Sequence, residues 1–122
     1  MKKGDYVRSS WGTFNRIKEY ESYGNKTDFS ILLEGEYYSI HYKNKNQFYN
    51  DFRSSENVVD LLKKRDLVVG YDDNIYQVQK VYMGYVFTNK KNKYGQIITL
   101  VDYQIKSIIT KEELERIKYE LD

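Results

Sequence analysis

The chain has 122 residues, room for one compact domain or for two very small β subdomains, and it contains no cysteine. That excludes disulfides, thiol nucleophiles and thiolate metal sites. Its 20 basic and 18 acidic residues leave a net charge of +2, too balanced for an acidic nucleic-acid mimic or a strongly basic general nucleic-acid binder.

The start, Met1-Lys2-Lys3-Gly4-Asp5, lacks the apolar run of a signal peptide, and no stretch approaches a membrane span. Period-two patterns and short β-branched or aromatic runs then recur between turn signals, as in an antiparallel sheet. The first is Asp5–Arg8. Ser9-Ser10 and Trp11-Gly12 lead into a strand over Thr13–Tyr20. Gly24-Asn25-Lys26 interrupts, and Phe29–Leu33 resumes. Glu34-Gly35-Glu36 reads as a hairpin turn, with Tyr37–Tyr42 returning and Lys43–Asn46 as a polar loop.

Between Gln47 and Lys64, Val58, Val59, Leu61 and Leu62 suit one face of a short central helix capped by Ser55. Strands follow at Asp66–Gly70, Ile75–Val81 and Tyr85–Thr88, the last two joined at Met83-Gly84. Tyr71–Asn74 is a turn by composition and Asn89–Lys93 another polar loop. Ile97–Tyr103 and Ile105–Ile109 complete the strands. Thr110 and Glu113 have capping-box spacing before a terminal helix with Leu114, Ile117 and Leu121 on one face. The absence of alanine, the best helix former, agrees with a mainly β chain.

Lys2-Lys3-Gly4-Asp5-Tyr6-Val7 echoes sixty-one positions later as Lys63-Lys64-Arg65-Asp66-Leu67-Val68, and the same offset pairs Ile17 with Val78. Two copies of a small barrel-like β unit would explain the echo. The fold expected is mainly β (α+β): antiparallel, small-barrel-like sheets with a short central helix and a C-terminal helix. The domain reading is a single compact domain over 1–122, or two β subdomains over about 1–56 and 57–122.

Catalytic groups are scarce. His41 is the one histidine, with no nucleophile elbow, phosphate loop or dinucleotide fingerprint around it. It fits an edge-strand or solvent-facing histidine. Asp72-Asp73 and Glu34 with Glu36 are the remaining carboxylate pairs, and both sit where turns favour acids. The expectation is therefore no enzyme, no catalytic residue, no cofactor and no metal.

Tyrosine is the anomaly, at fourteen residues. It offers contact area at low rotamer cost and a hydroxyl that tolerates water, which suits interfaces, although strands also favour it. Tyr37 and Tyr38 are adjacent, so on a strand they face opposite ways and one points outward unless both faces are covered. Two polar loops mix lysine with tyrosine. The expected contacts are Tyr37, Tyr38, Tyr42, Lys43 and Lys45 in the first half, and Lys90, Lys91, Lys93 and Tyr94 in the second. Trp11 is either a core plug or an exposed anchor.

Lys3–Arg8, Trp11-Gly12 and Phe14–Ile17 resemble the entry of KOW and Tudor-type small β-barrels. Lys2–Arg8, Asn57–Leu62, Asp66–Gly70 and Ile105–Glu112 resemble a group of small, largely uncharacterised proteins of phages, prophages and mobile elements of low-GC Gram-positive bacteria. That resemblance implies a genetic setting, in which small non-enzymatic proteins often inhibit host machines, anti-CRISPR proteins among them. It implies a cytoplasmic protein of the bacterial host cell whose partner is a host protein or protein complex. Nucleic acid held by the lysine–tyrosine loops stays open as the alternative, as does a homodimer through exposed edge strands. No membrane partner is expected.

Overall fold

The computed structural model describes residues 1–24 and 27–120. Asn25 and Lys26 of the expected break, and Leu121 of the expected helical face, lie outside them. The described chain is mainly β, with two five-stranded antiparallel sheets and two α-helices, one central and one C-terminal. It divides into two compact units, Met1–Glu56 and Asn57–Asp122.

In the first unit β1 (Tyr6–Ser9), β2 (Phe14–Ser22), β3 (Phe29–Leu33), β4 (Ile40–Tyr42) and β5 (Phe52–Ser55) lie in the order β4-β3-β2-β1-β5, and α1 (Lys45–Asp51) enters between β4 and β5. Val7, Ile17 and Ile31 meet an aromatic group of Phe29, Tyr42, Phe48 and Phe52 in the core. Phe48 is wholly buried and holds the group together, with ring centroids 5.4 Å from both Tyr42 and Phe52 and 6.0 Å from Phe29. Burying rings of this size dominates the apolar free energy of so small a core.

In the second unit β6 (Leu67–Gly70), β7 (Ile75–Tyr82), β8 (Tyr85–Lys91), β9 (Ile97–Leu100) and β10 (Ile105–Ile109) lie in the order β10-β6-β7-β8-β9. Renumbered from its own first strand, that is the order of the first unit. A 3₁₀ helix (Asp102–Gln104) takes the place of α1, and α2 (Lys111–Glu120) follows β10. The buried side chains here are mostly aliphatic: Val59, Val68, Val78, Val86 and Leu100, with Tyr76.

The correspondence extends to single hydrogen bonds at the sixty-one-residue offset. The Gly4 amide donates to the Ile17 carbonyl at 2.8 Å, and the Arg65 amide to the Val78 carbonyl at 2.9 Å. The Ile17 amide donates to the Asp5 carbonyl at 2.9 Å, and the Val78 amide to that of Asp66 at 2.8 Å. The buried carboxylates match as well, since Asp5 accepts from the Lys2 amide at 2.9 Å and Asp66 from the Lys63 amide at 2.6 Å. Both second strands shift register at the same point, between Ile17 and Glu19 and between Val78 and Lys80. Gly4 and Arg65 both take left-handed backbone, at φ 90° and 82°, a conformation that is unstrained only for the glycine.

The helices fall differently from the sequence expectation. The central α-helix is α1, in the segment read as a polar loop and its unassigned continuation. Asn44 caps it, accepting from the Gln47 amide at 2.9 Å, while Gln47 accepts in return from the Lys43 amide at 2.8 Å. Val58–Leu61 forms only a 3₁₀ turn, capped by Asn57, and Ser55 ends β5. The returning strand begins at Ile40 rather than Tyr37, and Ile97–Leu100 stops before the 3₁₀ turn at Asp102. The Thr110 cap stands, its hydroxyl accepting from the Glu113 amide at 3.2 Å, with Ile117 left 48% exposed.

Candidate functional site

A groove of about 580 Å³ opens on the first unit. It is lined from the turn after β1 and the start of β2, from the end of β3 with the β3–β4 connection and β4, and from the end of α1 with the start of β5. Trp11, Phe14, Tyr38, Ile40, Tyr42 and Phe52 are among its lining residues. Its volume lies within the ordinary range for ligand sites.

Local sequence explains the display. The Gly12 amide donates to the Ser9 carbonyl at 3.1 Å, and Gly12 has φ 93°, so the turn closes tightly and leaves Trp11 half exposed. The indole still meets the Phe52 ring at a centroid distance of 6.0 Å. Gly35 turns the chain out of β3, and the following segment stays irregular as far as Ser39, which leaves Tyr37 and Tyr38 at 92% and 87% exposure.

Charge in the groove is one-sided. Glu36 and Asp51 line it, and among the described residues no lysine or arginine does. The Arg8 guanidinium, buried, lies over the ring of the lining residue Phe14 at 5.3 Å. Asp51 accepts a hydrogen bond from the Tyr42 hydroxyl at 3.4 Å. Burial first, then the Asp51 charge and that hydrogen bond, push the Tyr42 phenol up to about 12.

The residues expected from sequence divide among separate places. Tyr38 and Tyr42 share the groove, Tyr42 as a largely buried lining residue. Only 3% exposed, it stacks on Phe29 at 5.6 Å because strand alternation turns it inward and its neighbour His41 outward. Tyr37 is exposed outside the groove. Lys45 lines a different cleft, with Tyr20, Asp28, Phe29 and Asn44. The Lys43 carbonyl accepts from the Thr27 hydroxyl at 2.8 Å.

In the second unit Lys90 and Lys91 end β8, and Lys93 and Tyr94 occupy the following turn. The Lys90 ammonium lies 5.2 Å from the centroid of Tyr76, and that of Lys93 lies 5.1 Å from Tyr94. Sequence reading left out Phe14, Glu36, Ile40, Asp51 and Phe52 and held Trp11 undecided; the Trp11-Gly12 pair was the available signal for an exposed ring at a turn.

The other polar groups have structural explanations. Ser30 and His41 are direct cross-strand partners. The Ser30 hydroxyl lies 3.4 Å from His41 Nδ1 and 2.8 Å from the Tyr23 hydroxyl, and His41 Nε2 lies 3.3 Å from Asp28. This chain of contacts clips the edge strand β4 to β3, with Ser30 buried. Asp72 accepts from the Asn74 amide at 3.0 Å and the Tyr76 hydroxyl at 2.7 Å, which hold its carboxyl below the usual range, and Asp73 pairs with Lys106 at 3.0 Å. Among the described residues no cluster of three or more histidine or acidic side chains could hold a metal ion, and no helix is long and apolar enough to cross a membrane. Comparison with protein-family models, with characterised proteins and with solved structures gives no match.

Proposed function

We propose that this chain is a non-enzymatic binding protein that takes a segment of a partner protein into the groove of its first unit. One observation carries the reading: a groove of about 580 Å³ rimmed by two aromatic side chains, Trp11 and Tyr38, that the fold leaves 51% and 87% exposed. Exposed tryptophan and tyrosine cost solvation, and they are the residues that dominate binding energy once covered. In the genetic setting implied by the sequence resemblance, the partner is a component of a host protein complex and the effect is inhibition, as for anti-defence proteins including anti-CRISPR proteins.

The test is capture from nuclease-treated lysate of a low-GC Gram-positive bacterium, using the wild type and a Trp11→Ala/Tyr38→Ala variant side by side. The reading expects a stoichiometric protein that survives nuclease and is lost with the variant. Equal recovery on both would place the contact elsewhere.

A second reading rests on the β8–β9 hairpin, where Lys90, Lys91, Lys93 and the 76%-exposed Tyr94 lie in a stretch without an acidic residue. Such a tip suits the backbone and bases of a single strand. It expects retardation of labelled single-stranded RNA or DNA at low ionic strength that weakens steeply with salt. No retardation at low ionic strength would remove it.

A further inference from the structure

The groove can be assigned a more specific occupant, on the reading that it is the partner-binding site. Aromatic side chains are prominent in its lining, its two charged lining groups are the carboxylates of Glu36 and Asp51, and among the described residues no cation lines it. An apolar peptide would fill the walls but leave both carboxylates without a charge partner as water is displaced. An acidic segment would add repulsion. A planar cation satisfies both features, because it stacks on aromatic faces and donates forked hydrogen bonds to carboxylates. We infer that the groove receives an arginine side chain presented by an extended segment of the partner protein.

The second unit supplies an internal comparison. At the corresponding place, between the turn after its first strand, its fourth strand and the helical turn before its fifth, it has a smaller cleft of about 260 Å³. That cleft has Tyr71 and Tyr103 on its walls and a single carboxylate, Asp72, which is already engaged by the Tyr76 hydroxyl and the Asn74 amide. The same frame thus carries one cleft with two carboxylates, of which Asp51 also accepts a long bond from the Tyr42 hydroxyl at 3.4 Å, and one with a single carboxylate held by two shorter bonds within its turn. The arginine belongs to the first.

The test uses the full chain and an array of short peptides with randomised flanks around a fixed central arginine, lysine, citrulline or leucine. Citrulline keeps the shape and most donors of arginine and removes the charge. Arginine-centred peptides should bind about ten-fold or more tightly than citrulline- and leucine-centred ones, and more tightly than lysine-centred ones. Glu36→Gln, an exposed change that leaves the core intact, should reduce that preference, and Asp51→Asn should reduce it further. Tyr103→Ala, in the second unit's cleft, should leave it unchanged. Groove-dependent binding, lost in Trp11→Ala, that ignores the central residue would overturn the arginine assignment while the groove reading stood. Equal preference for lysine would overturn the guanidinium assignment. Absence of any Trp11-dependent peptide binding would overturn both.

Discussion

The two units solve the same folding problem with different side chains. Both run five antiparallel strands in one order, and both open with a left-handed residue, a buried aspartate and a register shift in the second strand. What repeats is mostly backbone hydrogen bonding, which depends on position rather than on residue type. What differs is the filling. The first unit closes its fourth-to-fifth connection with α1 and puts Phe48 in the core; the second uses a 3₁₀ turn that leaves Tyr103 at 78% exposure. The candidate groove draws on these divergent parts, so the proposed function rests on connections that the frame leaves free to vary.

The largest test of this contrast is a pair of truncations. Phe48→Ala removes the centre of the aromatic core and should cost about 3–5 kcal/mol in denaturant unfolding, whereas Tyr103→Ala should change stability by under about 0.5 kcal/mol. Comparable losses at the two positions would mean that the helical turns play the same part in both units.

The paired aspartates come next. Asp66 accepts from two amides, those of Lys63 and Lys111, and so ties the start of β6 to the start of α2. Asp5 accepts from the Lys2 amide and lies 3.9 Å from the N-terminal ammonium. Asp66→Ala should cost about 2–3 kcal/mol and Asp5→Ala about half of that. The reverse order would show that the two carboxylates carry different loads from those their contacts indicate.

Each unit also holds a tyrosine that donates to a carboxylate, Tyr42 to Asp51 and Tyr76 to Asp72. Both phenols are raised, Tyr42 chiefly by burial and Tyr76 chiefly by its hydrogen bond to Asp72. A folded value above the ordinary one near 10 means that the folded state holds its proton more tightly. The contribution of Tyr42 is then fully present below pH 10 and is lost as the pH rises through about 12. For Tyr42 the loss should be on the order of 2 kcal/mol, and Tyr42→Phe should flatten the alkaline limb more than Tyr76→Phe. Equal limbs in all three proteins would contradict the burial of Tyr42.

The smallest effect is the most symmetric. Arg65→Gly should gain about 1 kcal/mol, and Gly4→Ala should lose a similar amount, because only glycine adopts this backbone without strain. An added Cβ at Gly4 meets nothing closer than the Arg16 guanidinium at 3.8 Å, so the loss would be conformational rather than steric.

Much of the frame was legible in the sequence because strand periodicity and turn chemistry are local. Phe29–Leu33, the Met83-Gly84 turn and the Thr110 cap stand where residue pattern places them. The α1 helix was not, because Phe48 is its one buried residue and so gives no 3.6-residue repeat; the Asn44–Gln47 capping pair was the overlooked signal. The 3₁₀ turn at Val58 looked helical because Val58, Val59, Leu61 and Leu62 have the spacing of one helical face, although the turn ends at Leu61. For the groove, the adjacency of Tyr37 and Tyr38 pointed to an exposed ring, but by a strand alternation that does not apply, since both precede β4 and both are exposed. The inward turn of Tyr42, and the convergence of Glu36 and Asp51 from separate connections, are tertiary facts that no local spacing encodes.

The central claim is that the first unit's groove is where the partner sits. The most direct measurement is the affinity of the captured partner for the wild type and for Trp11→Ala, with thermal unfolding run alongside to show that the variant is folded. A hot-spot tryptophan should cost about 2 kcal/mol or more, roughly a thirty-fold rise in Kd, in a protein that still unfolds cooperatively. An unchanged Kd in a folded variant would contradict the account.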